Sequence, residues 1–159
     1  MKNLIKLSFV CGLVLLLGSC NKDDNSSATG GGSMTAKVDG SSYTASLAVQ
    51  ASISSTSPKV LSIGGTGAGG QINITIGNYT GAATYTIGSG NPSNMAAYTI
   101  TTSPFTSHTA TAVLGSGTVT VSSESGGKVQ GTFSFTGVNN SVTPNTTKVI
   151  TDGSFSINL

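Results

Sequence analysis

Apolar residues recur at every second position through most of this chain, and that period confines it to β-structure. The clearest run is Tyr43, Ala45, Leu47, Val49, Ala51 and Ile53, with Thr44, Ser46, Ala48, Gln50 and Ser52 between them. On an extended strand the two sets point to opposite faces, one able to bury itself and one able to stay wet. Ile72, Ile74 and Ile76 repeat the pattern, as do Val119 with Val121, Phe133 with Phe135, and Phe155 with Ile157 and Leu159. No helical period is sustained after residue 20.

Turn chemistry divides these runs. Asp39-Gly40 sits between two apolar stretches, and Asp-Gly suits a two-residue hairpin turn because both positions accept positive φ. Gly64–Gly70, Gly88–Asn94, Ser123–Gly127 and Val138–Thr146 read as loops, and Asp152-Gly153 as a tight turn or bulge. The spacing predicts about nine or ten strands, at 34–38, 41–53, 59–64, 71–77, 82–87, 95–102, 109–114, 117–122, 128–137 and 147–158. One wet face of Ser and Thr and one dry face of Ile, Val and Phe fit an antiparallel β-sandwich, with a closed β-barrel as the alternative. A barrel spanning a membrane would carry aromatic girdles, and these strands lack them. Ser and Thr total 48 of 159 residues and Gly 22. That composition could signal disorder; the period argues against it.

The first 20 residues, MKNLIKLSFVCGLVLLLGSC, read as a lipoprotein signal. Lys2 and Lys6 give a basic start, Leu7 to Leu17 an apolar stretch far shorter than a membrane-spanning helix, and Leu17-Gly18-Ser19 a small-residue approach to Cys20. The reading implies cleavage after residue 19 and acylation of Cys20, so that 1–19 is signal, 20–33 a tether and 34–159 the folded domain. The tether is Gly- and Ser-rich, and its thirteen residues 21–33 have a typical end-to-end distance of roughly 20 Å.

Without the signal the formal charge vanishes. Five lysines (22, 37, 59, 128, 148) face five acids (23, 24, 39, 124, 152), and the chain has neither arginine nor tryptophan. Nothing here resembles a basic stripe for a phosphate backbone, which excludes nucleic acid as the expected partner. Cys11 leaves with the signal and Cys20 is acylated, so neither a disulfide nor a cysteine–metal site is expected.

Catalytic constellations are thin. Gly65-Thr66-Gly67-Ala68-Gly69-Gly70 spells a GxGxxG motif, but a dinucleotide site needs a helix to follow, and Gln71–Ile76 reads as a strand. His108 is the single histidine, and Asp39, Glu124 and Asp152 are the domain's only side-chain carboxylates, all near turn glycines. A paired-carboxylate glycosidase would need two of those three to converge. We therefore expect no enzyme, no cofactor and no metal. Tyr79, Tyr85 and Tyr98 fall near the loops of the middle third, beside Asn78, Asn91 and Asn94. Rings with an apolar face and a polar rim could form a platform for a ligand such as a glycan.

Three strand motifs, Lys37-Val38-Asp39-Gly40-Ser41-Ser42-Tyr43, Gly131-Thr132-Phe133-Ser134-Phe135 and Gly153-Ser154-Phe155, together with the signal, resemble small surface lipoproteins of Bacteroidota whose function is uncharacterised. The run Lys22-Asp23-Asp24 after Cys20 is similar to their export signal. The resemblance implies a single β-sandwich domain, anchored by Cys20 to the bacterial outer membrane and facing the cell exterior. It brings no catalytic residues. The resulting expectation is a non-catalytic binding or envelope-interaction module. Its alternatives are a glycan-binding accessory protein of a polysaccharide-uptake system and a carrier of a small apolar ligand.

Overall fold

The computed structural model describes residues 31–88 and 90–159. Ten strands form: β1 (Gly32–Val38), β2 (Ser41–Ile53), β3 (Val60–Gly67), β4 (Gly70–Gly77), β5 (Ala83–Ile87), β6 (Asn94–Ile100), β7 (Thr106–Ala110), β8 (Ser116–Ser125), β9 (Lys128–Asn139) and β10 (Thr146–Asn158). They make one antiparallel sheet in the order β10-β1-β2-β3-β4-β6-β7-β9-β8-β5, and β10 also pairs with β9. That last pairing closes eight strands into a barrel, from which β8 and β5 continue. The all-β, antiparallel expectation holds, in its closed-barrel form rather than as two packed sheets.

Closure rests on β9. It pairs with β10 along its whole length, with β8 from Lys128 to Thr136, and with β7 only at Val138, opposite Thr109. Strand β5 ends the order, and Asn94 of β6 caps its outer edge. The buried Asn94 amide donates to the Thr86 carbonyl at 2.8 Å and accepts from the Gly77 N–H at 3.1 Å. A short, side-chain-capped edge is a poor template for further strand pairing.

Large aliphatic side chains fill the lumen: Met34, Leu61, Ile72 and Ile76 are completely buried. Beside them lies an aromatic layer in which each phenylalanine stands opposite a cross-strand glycine. Phe155 is opposite Gly131, Phe133 opposite Gly153 and Phe135 opposite Gly117. A Cβ on Gly131 would stand 2.6 Å from the Phe155 ring, and one on Gly153 would stand 2.5 Å from the Phe133 ring. The Gly-x-Phe spacing of the sequence motifs thus has a packing cause: the Phe133 and Phe155 rings each fill the space a missing Cβ leaves on the next strand.

The outer wall accounts for the Ser and Thr content. Strand register aligns Thr84, Thr120, Thr132, Ser154, Thr35 and Thr44 in one row across six strands. Neighbours in the row bond one another, Thr84 to Thr120 at 3.1 Å and Thr35 to Ser154 at 2.9 Å. Such cross-strand pairs each contribute about 0.2–1 kcal/mol. This row faces solvent and is the inverse of the apolar band of a membrane-spanning barrel.

The runs Gly64–Gly70 and Ser123–Gly127 are turns only at Ala68-Gly69 and Gly126-Gly127, because β3 extends to Gly67 and β8 to Ser125; two further expectations need correction. The odd-numbered face of β2 does not stay buried throughout, because Leu47 is 68% exposed while Tyr43 and Val49 are buried. Register shifts between Ala45 and Leu47 and again between Leu47 and Gln50 each insert a residue, with Ala48 at φ 50°. Each bulge flips the facing of the residues after it, so Leu47 turns outward and Val49 turns back. The strand expected at 109–114 lies instead at Thr106–Ala110. A turn, Thr111 N–H to the Leu114 carbonyl at 2.6 Å, ends it and leaves Val113 86% exposed.

The barrel has two distinct ends. At one, the Gly31 carbonyl accepts from the Asn158 N–H at 2.9 Å, and the Leu159 N–H donates to the Gly127 carbonyl at 2.8 Å. At the other lie the Asp39-Gly40 turn, the β3–β4 hairpin tip and the loops 101–105 and 140–145.

Candidate functional site

The end opposite Gly31 opens into a polar mouth. Its first part is the Asp39-Gly40 turn, whose positive φ values of 49° and 81° are those expected of Asp-Gly in a hairpin. The Asp39 side chain also reaches β10. One carboxylate oxygen takes the Lys148 ammonium at 2.7 Å and the other the Val149 N–H at 2.9 Å. Those two bonds, the Lys148 one foremost, hold the Asp39 carboxyl below the usual carboxylate range.

Strand alternation brings Lys148 to this place. Ile150 is buried, so Lys148 and Thr146 belong to the same inward row of β10. On β6 and β7 the inward rows carry Tyr98 and His108, which stand directly opposite each other. Tyr98 meets Tyr43 of β2 edge to face, ring centroids 6.4 Å apart, and the Tyr43 hydroxyl donates to the Gly65 carbonyl at 2.7 Å. Burial pushes the Tyr43 phenol up to about 12. It also raises Tyr98, where Lys148 pulls the other way. A cleft of about 380 Å³ opens here, lined by Val38, Ser41, Ser42, Tyr43, Gly69 and Tyr98. A Cβ at Gly69 would approach the Tyr98 hydroxyl to 3.0 Å. The Gly69-Gly70 backbone thus packs directly over the phenol, which stays buried, and β4 follows the glycine run as a strand.

His108 is 3% exposed. Its Nε2 lies 3.1 Å from the Thr146 hydroxyl, while Nδ1 has no partner and is the one such buried side-chain atom among the described residues. Burial first, and Lys148 second, lower its pKa from the ordinary 6.5. Below about pH 6.5 the unfolded chain takes up a proton that the folded chain resists, so stability falls as pH falls. Urea midpoints should therefore decline from pH 7 to about pH 5, and the decline should be absent in His108→Gln. The Asp39 contribution is lost only in the acid range below its ordinary 3.8, which separates the two groups.

The barrel and its mouth lie within a known sequence family. A family described as a domain of unknown function, DUF6252, matches residues 31–157. The chain belongs to that family. The DUF6252 match begins one residue before β1 and ends within β10, so it spans the barrel. No curated protein and no solved structure matches the chain.

Of the tyrosines singled out in this DUF6252 chain, only Tyr98 lies at the mouth. Tyr98 stands opposite Ile72, whereas Tyr79 follows the far end of β4, and the strand from Ile72 to Gly77 spans about 17 Å. Tyr79 and Tyr85 pair with each other, rings 5.7 Å apart. The Tyr79 hydroxyl donates to Glu124 at 2.8 Å and the Tyr85 hydroxyl to the Gly81 carbonyl at 2.7 Å. Burial and then Glu124 push the Tyr79 phenol far up. Tyr79 and Tyr98 are buried and Tyr85 half-buried, so the three share no exposed face.

The carboxylates are likewise separated. Asp152 pairs with Lys37 on the outer wall at 2.8 Å. Glu124 lies opposite Val129, while Asp39 bonds Val149, opposite Thr136; Val129 to Thr136 is about 24 Å of strand. Cys20, Lys22, Asp23 and Asp24 lie outside the described residues. Lys148 is the site residue that sequence reading missed. The signal was present, as a lysine two positions from Ile150 on the dry row of a strand.

Proposed function

We propose that this chain is a lipoprotein, anchored through Cys20 to the outer face of a bacterial outer membrane, whose barrel is a non-catalytic binding module. The observation that carries the reading is the barrel's polarity. The chain enters at the Gly31 end, beside Leu159, and the mouth with Tyr98, His108, Lys148 and Asp39 is at the opposite end. A tether at one end leaves the other free to meet a partner. Exposed Phe105 and Val142 on the flanking loops add apolar contact area there. The three carboxylates support a non-catalytic role, since each is tied to a different partner in a different place. A lumen filled by Met34, Leu61 and Ile72 gives no support to the apolar-carrier alternative.

Two measurements test this. Protease added to intact cells is expected to remove the barrel, and full protection would overturn surface display. Cys20→Ala is expected to move the protein from the membrane fraction to the soluble fraction. Acyl burial is worth about 0.8 kcal/mol per methylene, and the barrel's hydroxyl wall offers nothing to replace it. Retention of Cys20→Ala in the membrane would refute the anchor.

A further inference from the structure

We propose that a pocket at the tether end of the barrel binds a phosphoethanolamine group of the membrane surface. This rests on the reading of the chain as a membrane-anchored lipoprotein and names what the anchored end touches.

Register places the pocket. Gly32 stands opposite Ile157, Ile157 opposite Val129, and Val129 opposite Glu124. Glu124 is therefore level with the start of β1, three strand spacings or about 14 Å away. An anchor at Cys20, on a tether of roughly 20 Å reach, keeps this end against the bilayer. A pocket of about 260 Å³ opens there, lined by Lys59, Tyr79, Thr80, Gly81 and Glu124. Its walls are held in place before any ligand arrives. The Tyr79 N–H donates to the Lys59 carbonyl at 2.9 Å, and the buried Tyr79 side chain donates its hydroxyl to Glu124 at 2.8 Å. The Tyr85 hydroxyl accepts from the Thr80 N–H at 3.1 Å and donates to the Gly81 carbonyl at 2.7 Å. Such preorganisation lowers the ordering cost of binding.

The charges select the class of molecule. Lys59 and Glu124, both exposed, line this one pocket without pairing with each other; the ion pairs among the described residues join Lys37 to Asp152 and Lys148 to Asp39. A simple anion drawn to Lys59 meets the Glu124 charge, and a simple cation drawn to Glu124 meets Lys59. A ligand carrying both charges answers both. The two sides of the pocket also differ. An adjoining hollow of about 370 Å³ shares Lys59 and adds Ser55 and Ser57, and an ammonium beside hydroxyl donors suits phosphate oxygens. On the other side Glu124 gives one oxygen to the Tyr79 hydroxyl and keeps lone pairs for an ammonium with N–H groups to donate. A trimethylammonium has no N–H and relies on open aromatic faces, whereas Tyr79 is 4% exposed. Phosphate on one side and a primary amine on the other is the layout of phosphoethanolamine. Held at both charges, the barrel stands on its tether end and directs its mouth away from the membrane.

The experiment follows the Thr80 and Gly81 backbone amides by NMR in the full-length protein, solubilised in an uncharged maltoside detergent. Glycerophosphoethanolamine is expected to shift both saturably, with a Kd around the millimolar level. That level suffices for a site on a short flexible tether, where the effective concentration is itself millimolar. Glycerophosphocholine, ethanolamine, inorganic phosphate and glycine should each bind at least tenfold more weakly. Lys59→Met and Glu124→Gln should each weaken binding tenfold or more; both side chains are exposed, so the spectrum should keep the dispersion of a folded barrel. Moved into phosphatidylcholine bilayers, the protein should show the shifted amides only once phosphatidylethanolamine is added. An equal response to glycerophosphocholine or glycine would overturn the proposal. So would binding unchanged in both variants, or a response to the soluble compound with none to phosphatidylethanolamine bilayers in a protein that Cys20 anchors. The soluble compound reads the pocket whether or not Cys20 is acylated, and fractionation of Cys20→Ala reads the anchor alone, so the failure of one is not mistaken for the failure of the other.

Discussion

Phe133→Ala is expected to lower the free energy of unfolding by about 3–5 kcal/mol, measured as a drop in the urea midpoint with an unchanged slope. The ring is 4% exposed and lies 6.5 Å from Phe135 and 6.4 Å from Phe155, centroid to centroid. It therefore joins the two other phenyl rings of the core. It also belongs to β9, the strand that pairs with β8, β10 and β7. Truncation leaves a cavity that cannot collapse inward, because Gly153 on the facing strand has no side chain to fill it. With no cysteine among the described residues to limit the unfolded barrel and a typical domain stability of about 5–15 kcal/mol, such a loss is a large share of the total. Phe133→Leu, which keeps most of the volume, should cost clearly less; equal costs for the two variants would show that the ring's volume is not what matters.

The alternation of apolar residues made the strands legible, because burial on one face of a sheet leaves a period of two in any sequence. Most strands therefore fall where the pattern puts them. Closure of the sheet was not legible in the same way. It depends on β9 accepting both β10 and β7, which is a matter of pairing between distant segments, and no local pattern records it. The bulges around Leu47 were also hidden, since two successive one-residue insertions restore the original parity and leave the odd-numbered pattern looking intact. At the mouth, Asp39 read as a turn former and His108 as a lone histidine. Their meeting place with Lys148 depends on a contact 109 positions apart in sequence. The tyrosines misled for the opposite reason. Nearness in the chain grouped Tyr79, Tyr85 and Tyr98, but a full strand separates the first two from the third.

The glycines test whether this unusual composition means looseness or packing. Gly40 sits in the Asp-Gly turn at φ 81°, and a Cβ added there would meet nothing within 4 Å. Gly40→Ala should therefore cost only its backbone strain, about 1 kcal/mol. Gly131 lies in the wall of the barrel, where an added Cβ would run into both the Thr120 carbonyl and the Phe155 ring. One of those neighbours is backbone in a central pairing and cannot rotate away. Gly131→Ala should therefore cost about 3 kcal/mol, at the upper end of overpacking penalties, and lower the melting temperature by about 10 °C in a domain of this size. The contrast between the two alanine variants, read from thermal melts under one buffer, is the decisive quantity. If wall glycines were merely flexible filler, Gly131→Ala would be neutral or stabilising through the unfolded chain. In the packed reading the same substitution strikes the Phe155 ring that the Gly-x-Phe motifs exist to accommodate. Replacing Phe155 by leucine removes the ring atom nearest the new methyl but leaves the Thr120 carbonyl in place. In that background Gly131→Ala should lose part of its cost and keep the rest, and the two parts divide the penalty between ring and backbone.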